Sequence, residues 1–83
     1  MRRAVQKYLR LQGWFVFPNV QSALSYKGVA DLCATKEGAT WWIEVKVGKD
    51  VQSPSQRKFE ADLREHGGLY LIVHTLEDVM DLD

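Results

Sequence analysis

The sequence predicts a small α/β domain in which a mixed β-sheet is flanked by helices, and three features of the chain predict it. Thr40 to Val47 alternates as a strand does, with Trp41, Ile43, Val45 and Val47 on one face and Trp42, Glu44 and Lys46 on the other. Gly28 to Thr35 is a second strand just before it, joined through Lys36-Glu37-Gly38-Ala39, and Gly38 stands where a tight hairpin needs positive φ. After the central strand a helix intervenes before the next apolar run. An antiparallel hairpin followed by a strand reached through a helix makes a mixed sheet.

Each element has its own signals. Arg2 to Gln12 carries Val5, Tyr8, Leu9 and Gln12 at helical spacing, and Gly13 is a natural stop. Trp14 to Phe17 is a short apolar strand ended by Pro18. Asn19 to Lys27 is polar and rich in small residues, and reads as a loop leading to the hairpin. Such a loop can rest beside a site, so Asn19, Gln21, Tyr26 and Lys27 are open to a role as substrate contacts or as plain surface. Gly48 to Gln52 is a connection. Ser53-Pro54-Ser55-Gln56 then starts a helix, with Ser at the N-cap, Pro at the first helical position and Gln at N3 as a capping box. Phe59 and Leu63, with Gln56, define one face of that helix, His66 sits at its end and Gly67-Gly68 stops it. Leu69 to Val73 is a further strand, and Thr75 caps a short acidic helix through Leu82.

Composition bounds the class. Eighty-three residues without linker, repeat or low-complexity stretch read as one domain, residues 1–83, with a single thin core. No apolar run approaches the roughly 20 residues that cross a bilayer, and the N-terminus lacks the apolar core of a secretory signal, so no membrane partner is expected. The single Cys33 forms no internal disulfide, which fits a cytoplasmic setting. Net charge is zero but uneven: residues 1–58 hold ten Lys/Arg against four acids, and residues 59–83 hold one Arg against seven. A basic half fits a polyanion partner, and a solvated helix face fits it as well. Three Trp, three Phe and three Tyr are more large apolar surface than one small sandwich buries easily, which points to a homodimer, a monomer with all of them internal being the alternative.

The hairpin also brings charges together. If the turn centres between Glu37 and Gly38, Asp31 stands opposite Glu44, with directly opposed Cβ atoms about 4.5 to 5.5 Å apart. Two carboxylates that close repel unless a cation lies between them. Lys46, two residues along on the same face, completes the composition of a divalent-metal site with an attendant base. Asp, Glu and Lys on the wet face of a half-exposed hairpin are also ordinary, and the pattern alone leaves both readings open. Cys33 shares the face of Asp31 but has no spaced Cys or His partner, so it is read as a small packed residue and not as a zinc ligand.

Gly28-Val29-Ala30-Asp31, Glu44-Val45-Lys46 and Ser53-Pro54-Ser55-Gln56, in this element order, resemble the PD-(D/E)xK nuclease superfamily and most of all its VRR-NUC branch. The resemblance runs over nearly the whole chain. It implies a restriction-endonuclease-like α-β-β-β-α-β core, with Asp31 as first metal carboxylate, Glu44 as second, the Val45 carbonyl as a further metal ligand and Lys46 as the active-site lysine. Gln56 matches a glutamine near the metal, and its capping-box role stands beside that as a full alternative. The proline usual before the aspartate is Ala30 here. The Glu that relatives often carry in the first helix has no counterpart, Gln6 being the nearest polar residue there.

The activity so implied is Mg²⁺- or Mn²⁺-dependent endonucleolytic hydrolysis of DNA phosphodiester bonds, on branched DNA and by a homodimer, in the manner of a Holliday-junction resolvase. A non-catalytic nucleic-acid or protein-binding module on the same fold is the alternative, motivated by the missing helix carboxylate.

Overall fold

The computed structural model describes residues 1–82. The element order is α1 (Arg2–Leu11), β1 (Phe15–Pro18), β2 (Leu32–Lys36), β3 (Ala39–Val45), α2 (Pro54–Glu65), β4 (Leu69–Val73) and α3 (Glu77–Met80), as the sequence predicts. The four strands form one sheet in the order β1-β2-β3-β4, antiparallel except for the parallel pair β3–β4, which α2 connects. This is the small mixed sheet with flanking helices expected from the hairpin and the crossover.

Strand alternation sorts the side chains into two layers. Val16, Leu32, Ala34, Ile43 and Val73 face Val5 and Leu9 of α1 and Val79 of α3, all of them buried. On the opposite face α2 lays Phe59 against Trp42 and Tyr70, with ring centroids 5.6 and 6.2 Å away. The face that bears Trp42 and Glu44 is therefore covered where β3 and β4 run, and is not a wet hairpin surface. Trp14 joins the core, while Trp41 and Trp42 are half-buried.

The β2–β3 register is the expected one: Leu32 pairs with Ile43, Cys33 with Trp42 and Thr35 with Thr40. The turn between them places Glu37 at φ 52° and Gly38 at φ 86°, the double positive φ of a type I′ hairpin. Glycine meets that demand at Gly38 without strain.

Several boundaries differ from expectation: β1 is shifted by one residue to include Pro18, and four others bear on the site or the helix ends. Helix α1 stops at Leu11, and Gln12 is an exposed C-cap outside the buried stripe. Strand β2 starts at Leu32 and not at Gly28: the Asn19 amide adds one last rung beyond the pair of Pro18 and Leu32, and before it side chains of the loop meet the backbone carbonyls. The Asn19 amide donates to the Asp31 carbonyl at 2.8 Å, its side chain donates to the Ala30 carbonyl at 2.9 Å, and the Gln21 side chain donates to the Val29 carbonyl at 3.1 Å. Strand β3 stops at Val45, so Val47 lies exposed and not on the apolar face. Thr75 is not a side-chain cap: α3 begins after Leu76, and Asp78 Oδ2 accepts from the amides of His74 (2.7 Å) and Thr75 (3.0 Å) instead.

The segment 28–31 is pressed against the start of α2. Gly28 has φ 83°, and a Cβ there would collide with the backbone carbonyl of Ser55. Gly28→Ala is expected to lower unfolding stability by about 2 kcal/mol or more, since both the conformation and the space are denied to it. Urea unfolding of parent and variant measures the difference, and equal midpoints would show that the loop does not seat on α2.

Candidate active site

The first turn of α2 builds one wall of the site. Ser53 Oγ accepts from the Gln56 amide at 3.2 Å and Gln56 Oε1 accepts from the Ser53 amide at 2.8 Å, so the predicted capping box is complete. The same Oε1 also accepts from Lys46 Nζ at 2.8 Å, and Gln56 Nε2 donates to Glu44 Oε2 at 3.0 Å. The two readings of Gln56 are thus one arrangement: the cap fixes the carboxamide, and the fixed carboxamide ties Lys46 to Glu44.

Glu44 sits on β3 beneath this turn, opposite Ile72 of β4, with 1% of its surface exposed. Lys46 follows just past the strand, its amide still donating to the Val73 carbonyl at 2.9 Å, and its ammonium lies 3.4 Å from Glu44 Oε2. Asp31 stands in the bend before β2, past the last pair of the β2–β3 ladder, Leu32 with Ile43. Its Oδ2 accepts from the Val45 amide at 2.9 Å in place of a strand partner. The strand pair expected of Asp31 and Glu44 is therefore replaced by a bond from the Asp31 side chain to the backbone of the next residue, Val45. Asp31, Glu44, Val45, Lys46 and Gln56 come together.

One oxygen of each carboxylate is committed to the protein and the other is left over. Glu44 Oε2 meets Gln56 and Lys46, while the buried Oε1 has no hydrogen-bond partner among the described residues. Asp31 Oδ2 holds Val45, while Oδ1 has Arg2 Nη1 at 3.7 Å, from a side chain that is 61% exposed. Burial pushes the Glu44 carboxyl up to about 7, the negative charge of Asp31 adds to the rise, and Lys46 opposes it. A buried carboxylate oxygen without a donor is costly unless a proton or a cation meets it. Two hard oxygen donors with uncommitted lone pairs suit Mg²⁺ or Mn²⁺, ions that keep several of their own waters. Among the described residues no group of three or more His, Cys, Asp or Glu side chains converges, so such an ion would rest on these two carboxylates and backbone oxygen.

Other expected neighbours fall elsewhere. Gln6 accepts from Arg10 at 3.2 Å on the helix surface and does not stand in for a first-helix carboxylate. Arg2 is the residue that α1 brings to Asp31; its place in a basic cluster was legible, but its reach across to Asp31 depends on how α1 docks. Asn19 and Gln21 brace the loop backbone, and Tyr26 packs on Phe59 with centroids 5.8 Å apart. Cys33 is buried and receives Asn19 Nδ2 at 3.4 Å, a packed residue as expected. His66 turns back to the Asp62 carbonyl.

Glu44 makes the metal-free protein sensitive to pH. Its folded value near 7 lies above its ordinary 4.5, so its stabilising effect is complete below about pH 4.5 and is lost as pH rises through 7. The parent without metal is expected to lose on the order of 2 kcal/mol over that interval relative to Glu44→Gln, which cannot ionise there. Gln56→Glu keeps the capping box but sets a second carboxylate against Glu44 Oε2, and should extend the loss to higher pH. Thermal melts of the three proteins in EDTA at several pH values test this; parallel curves for parent and Glu44→Gln would refute it.

No protein-family model and no curated protein matches the sequence significantly. Among solved structures, a VRR_NUC domain superposes with a TM-score of 0.81 at 22% identity, over 98% of this chain and 87% of the other. The structure of Archaeoglobus fulgidus Hjc, a Holliday junction resolvase from an archaeal hyperthermophile, superposes with a TM-score of 0.67 at 18% identity, over 88% of this chain and 63% of that one. At these identities the likeness speaks for the fold. The chain has the restriction-endonuclease-like fold of VRR-NUC domains and of the resolvase Hjc.

Proposed function

We propose that this chain is a metal-dependent endonuclease that hydrolyses DNA phosphodiester bonds, with Asp31, Glu44 and the Val45 carbonyl as ligands of Mg²⁺ or Mn²⁺. The observation that carries this reading is a pair of carboxylates in which Glu44 Oε1 is buried with no hydrogen-bond partner among the described residues, beside a lysine and a glutamine, and Asp31 Oδ1 meets only an exposed arginine at 3.7 Å. When bound, the ion supplies Lewis-acid charge and a water of lowered pKa next to the phosphate. The chain's own residues do the positioning. Gln56 holds Glu44 in one orientation, so its other oxygen faces one way only. Lys46 meets two acceptors, Gln56 Oε1 and Glu44 Oε2, as an ammonium donor, and one of its three protons remains for a phosphate oxygen or the attacking water. That arrangement favours electrostatic stabilisation by Lys46 over proton abstraction. Arg2 stands on the Asp31 side, where it can meet a neighbouring phosphate.

Branched DNA as substrate and a homodimer as the acting species draw support from the likeness to Hjc and from an uncovered apolar surface. Phe15 and Phe17 stack at 5.5 Å on the β1 end of the sheet, 69% and 41% exposed, beyond the half that α2 covers. A two-fold partner on that face would hide both rings and hold two sites at a fixed separation. Sedimentation equilibrium at micromolar concentration is expected to give twice 9.5 kDa for the parent, with Phe15→Ser shifting the mass toward a single chain. A monomeric parent would remove the paired-cut reading and leave the nuclease.

A binding module without catalysis remains as the second reading, because an arginine and not a carboxylate of α1 approaches Asp31. Cleavage of labelled linear, flap and four-way DNA in Mg²⁺, Mn²⁺ or EDTA separates the two. Cleavage is expected with either metal and none in EDTA, and Asp31→Asn and Glu44→Gln each should abolish it, by ~10³-fold or more, while folding is kept. DNA binding with no cleavage in any metal would favour the module.

A further inference from the structure

The loop that delivers Asp31 and the connection that follows Lys46 both carry exposed apolar residues. Val20, Leu24 and Tyr26 on the first, and Val47 and Val51 on the second, are exposed apolar residues, interspersed with Lys27 and Lys49. Both segments end on the site: the first runs into Asp31, and the second joins Lys46 to the Ser53–Gln56 cap. Scattered exposed apolar residues are common on proteins. Five of them on the two segments that carry one proposed site are a surface with a purpose.

Leu24 is the extreme case, at 99% exposure. It stands at the third position of a turn closed by the Ser25 amide on the Ser22 carbonyl at 3.1 Å. The turn is stiffened from within: the Leu24 amide donates to Ser22 Oγ, the two serine hydroxyls meet, and Ser25 Oγ donates to the Val20 carbonyl. On one side the loop is bolted to the site through Asn19 and the Asp31 carbonyl, and on the other through Tyr26 on Phe59. Following those bonds, Leu24 lies within about 20 Å of Asp31, less than one turn of B-form DNA. A hydrogen-bonded turn that holds a leucine wholly in water, flanked by Ala23 and Ser25, both too small to cover it, presents the side chain without letting it collapse.

Resting on the nuclease reading, we propose that Leu24 is an apolar wedge that enters a base step of the bound DNA and unstacks it, while Lys27 and Lys49 meet the flanking phosphates. The shape argues for this occupant over a protein partner. A protein contact wants a broad apolar centre with a polar rim, whereas one protruding aliphatic tip among lysines fits a narrow gap between bases under a charged backbone. The cost of opening a step is least where the DNA is already distorted, and this would give the site a preference for branched or mispaired DNA.

The test uses the full chain, a linear duplex and a four-way junction carrying 2-aminopurine at successive positions, in EDTA so that nothing is cut. Parent protein should raise the fluorescence at one or two adjacent positions. Leu24→Ser should still bind but lose that rise, and Leu11→Ser, which removes another exposed leucine at the end of α1, should keep it. With Mg²⁺, Leu24→Ser should cut the fully paired substrate about tenfold more slowly or worse, with the deficit shrinking when a mismatch pre-opens the step. DNA bound with a fluorescence rise that ignores Leu24, or with no rise, overturns the wedge and leaves the nuclease reading standing. A Leu24-dependent rise with no cleavage in any metal supports the wedge and sinks the nuclease. Absence of DNA binding, or binding of a protein partner alone through Leu24, overturns the wedge outright.

Discussion

The carboxamide of Gln56 is the group on which both the fold and the site depend. It closes the first turn of α2 by accepting from Ser53, and with its remaining donor and lone pair it joins Glu44 to Lys46. A buried carboxylate is tolerated only when charge and hydrogen bonds answer it. Here the answer comes from the start of a helix that must form in any case to carry the chain from β3 to β4. The capping motif therefore fixes the geometry of the charged residues as a by-product of starting the helix. Glu44 Oε1 is left without a donor among the described residues, and that remainder is where the proposed chemistry lies.

Asp31 reaches the site because the sheet is interrupted. Asn19 and Gln21 engage the backbone of residues 29–31, and Gly28 lets that backbone lie directly on the Ser55 carbonyl. Had the strand run on from Gly28, Asp31 would have taken an ordinary place in the ladder. Instead its carboxylate replaces a strand partner for the Val45 amide, and its other oxygen lies 3.7 Å from Arg2 Nη1. The same bracing stiffens the loop that exposes Leu24, so the positioning of the carboxylate and the display of the leucine share one set of bonds.

The fold has solved relatives in a VRR_NUC domain and in Hjc, although little sequence is shared with either. What such distant chains keep in common is the arrangement of hairpin, crossover helix and fourth strand. That arrangement brings the end of β3, the start of α2 and the bend before β2 to one point. Chemistry proposed at that point rests on the side chains that occupy it here, including an arginine of α1.

By itself the sequence determined the element order, the mixed sheet, the hairpin register and the capping box, because each follows from local rules: alternation, a Gly in a two-residue turn, and Ser-Pro-x-Gln at a helix start. It also placed Asp31, Glu44 and Lys46 together, since register brings the first two across from each other and spacing puts the third beside them; Gln56 joined that set only through the resemblance to VRR-NUC nucleases. Only the tertiary structure decided that Asp31 leaves the ladder, that α2 buries Glu44, that Gln56 serves cap and site together, and that Arg2 and not Gln6 comes to Asp31. Each of these depends on where a loop or a helix docks on the sheet. Docking is set by contacts between residues far apart in the chain, such as Asn19 with Asp31 and Gly28 with Ser55, and local patterns carry no record of such contacts.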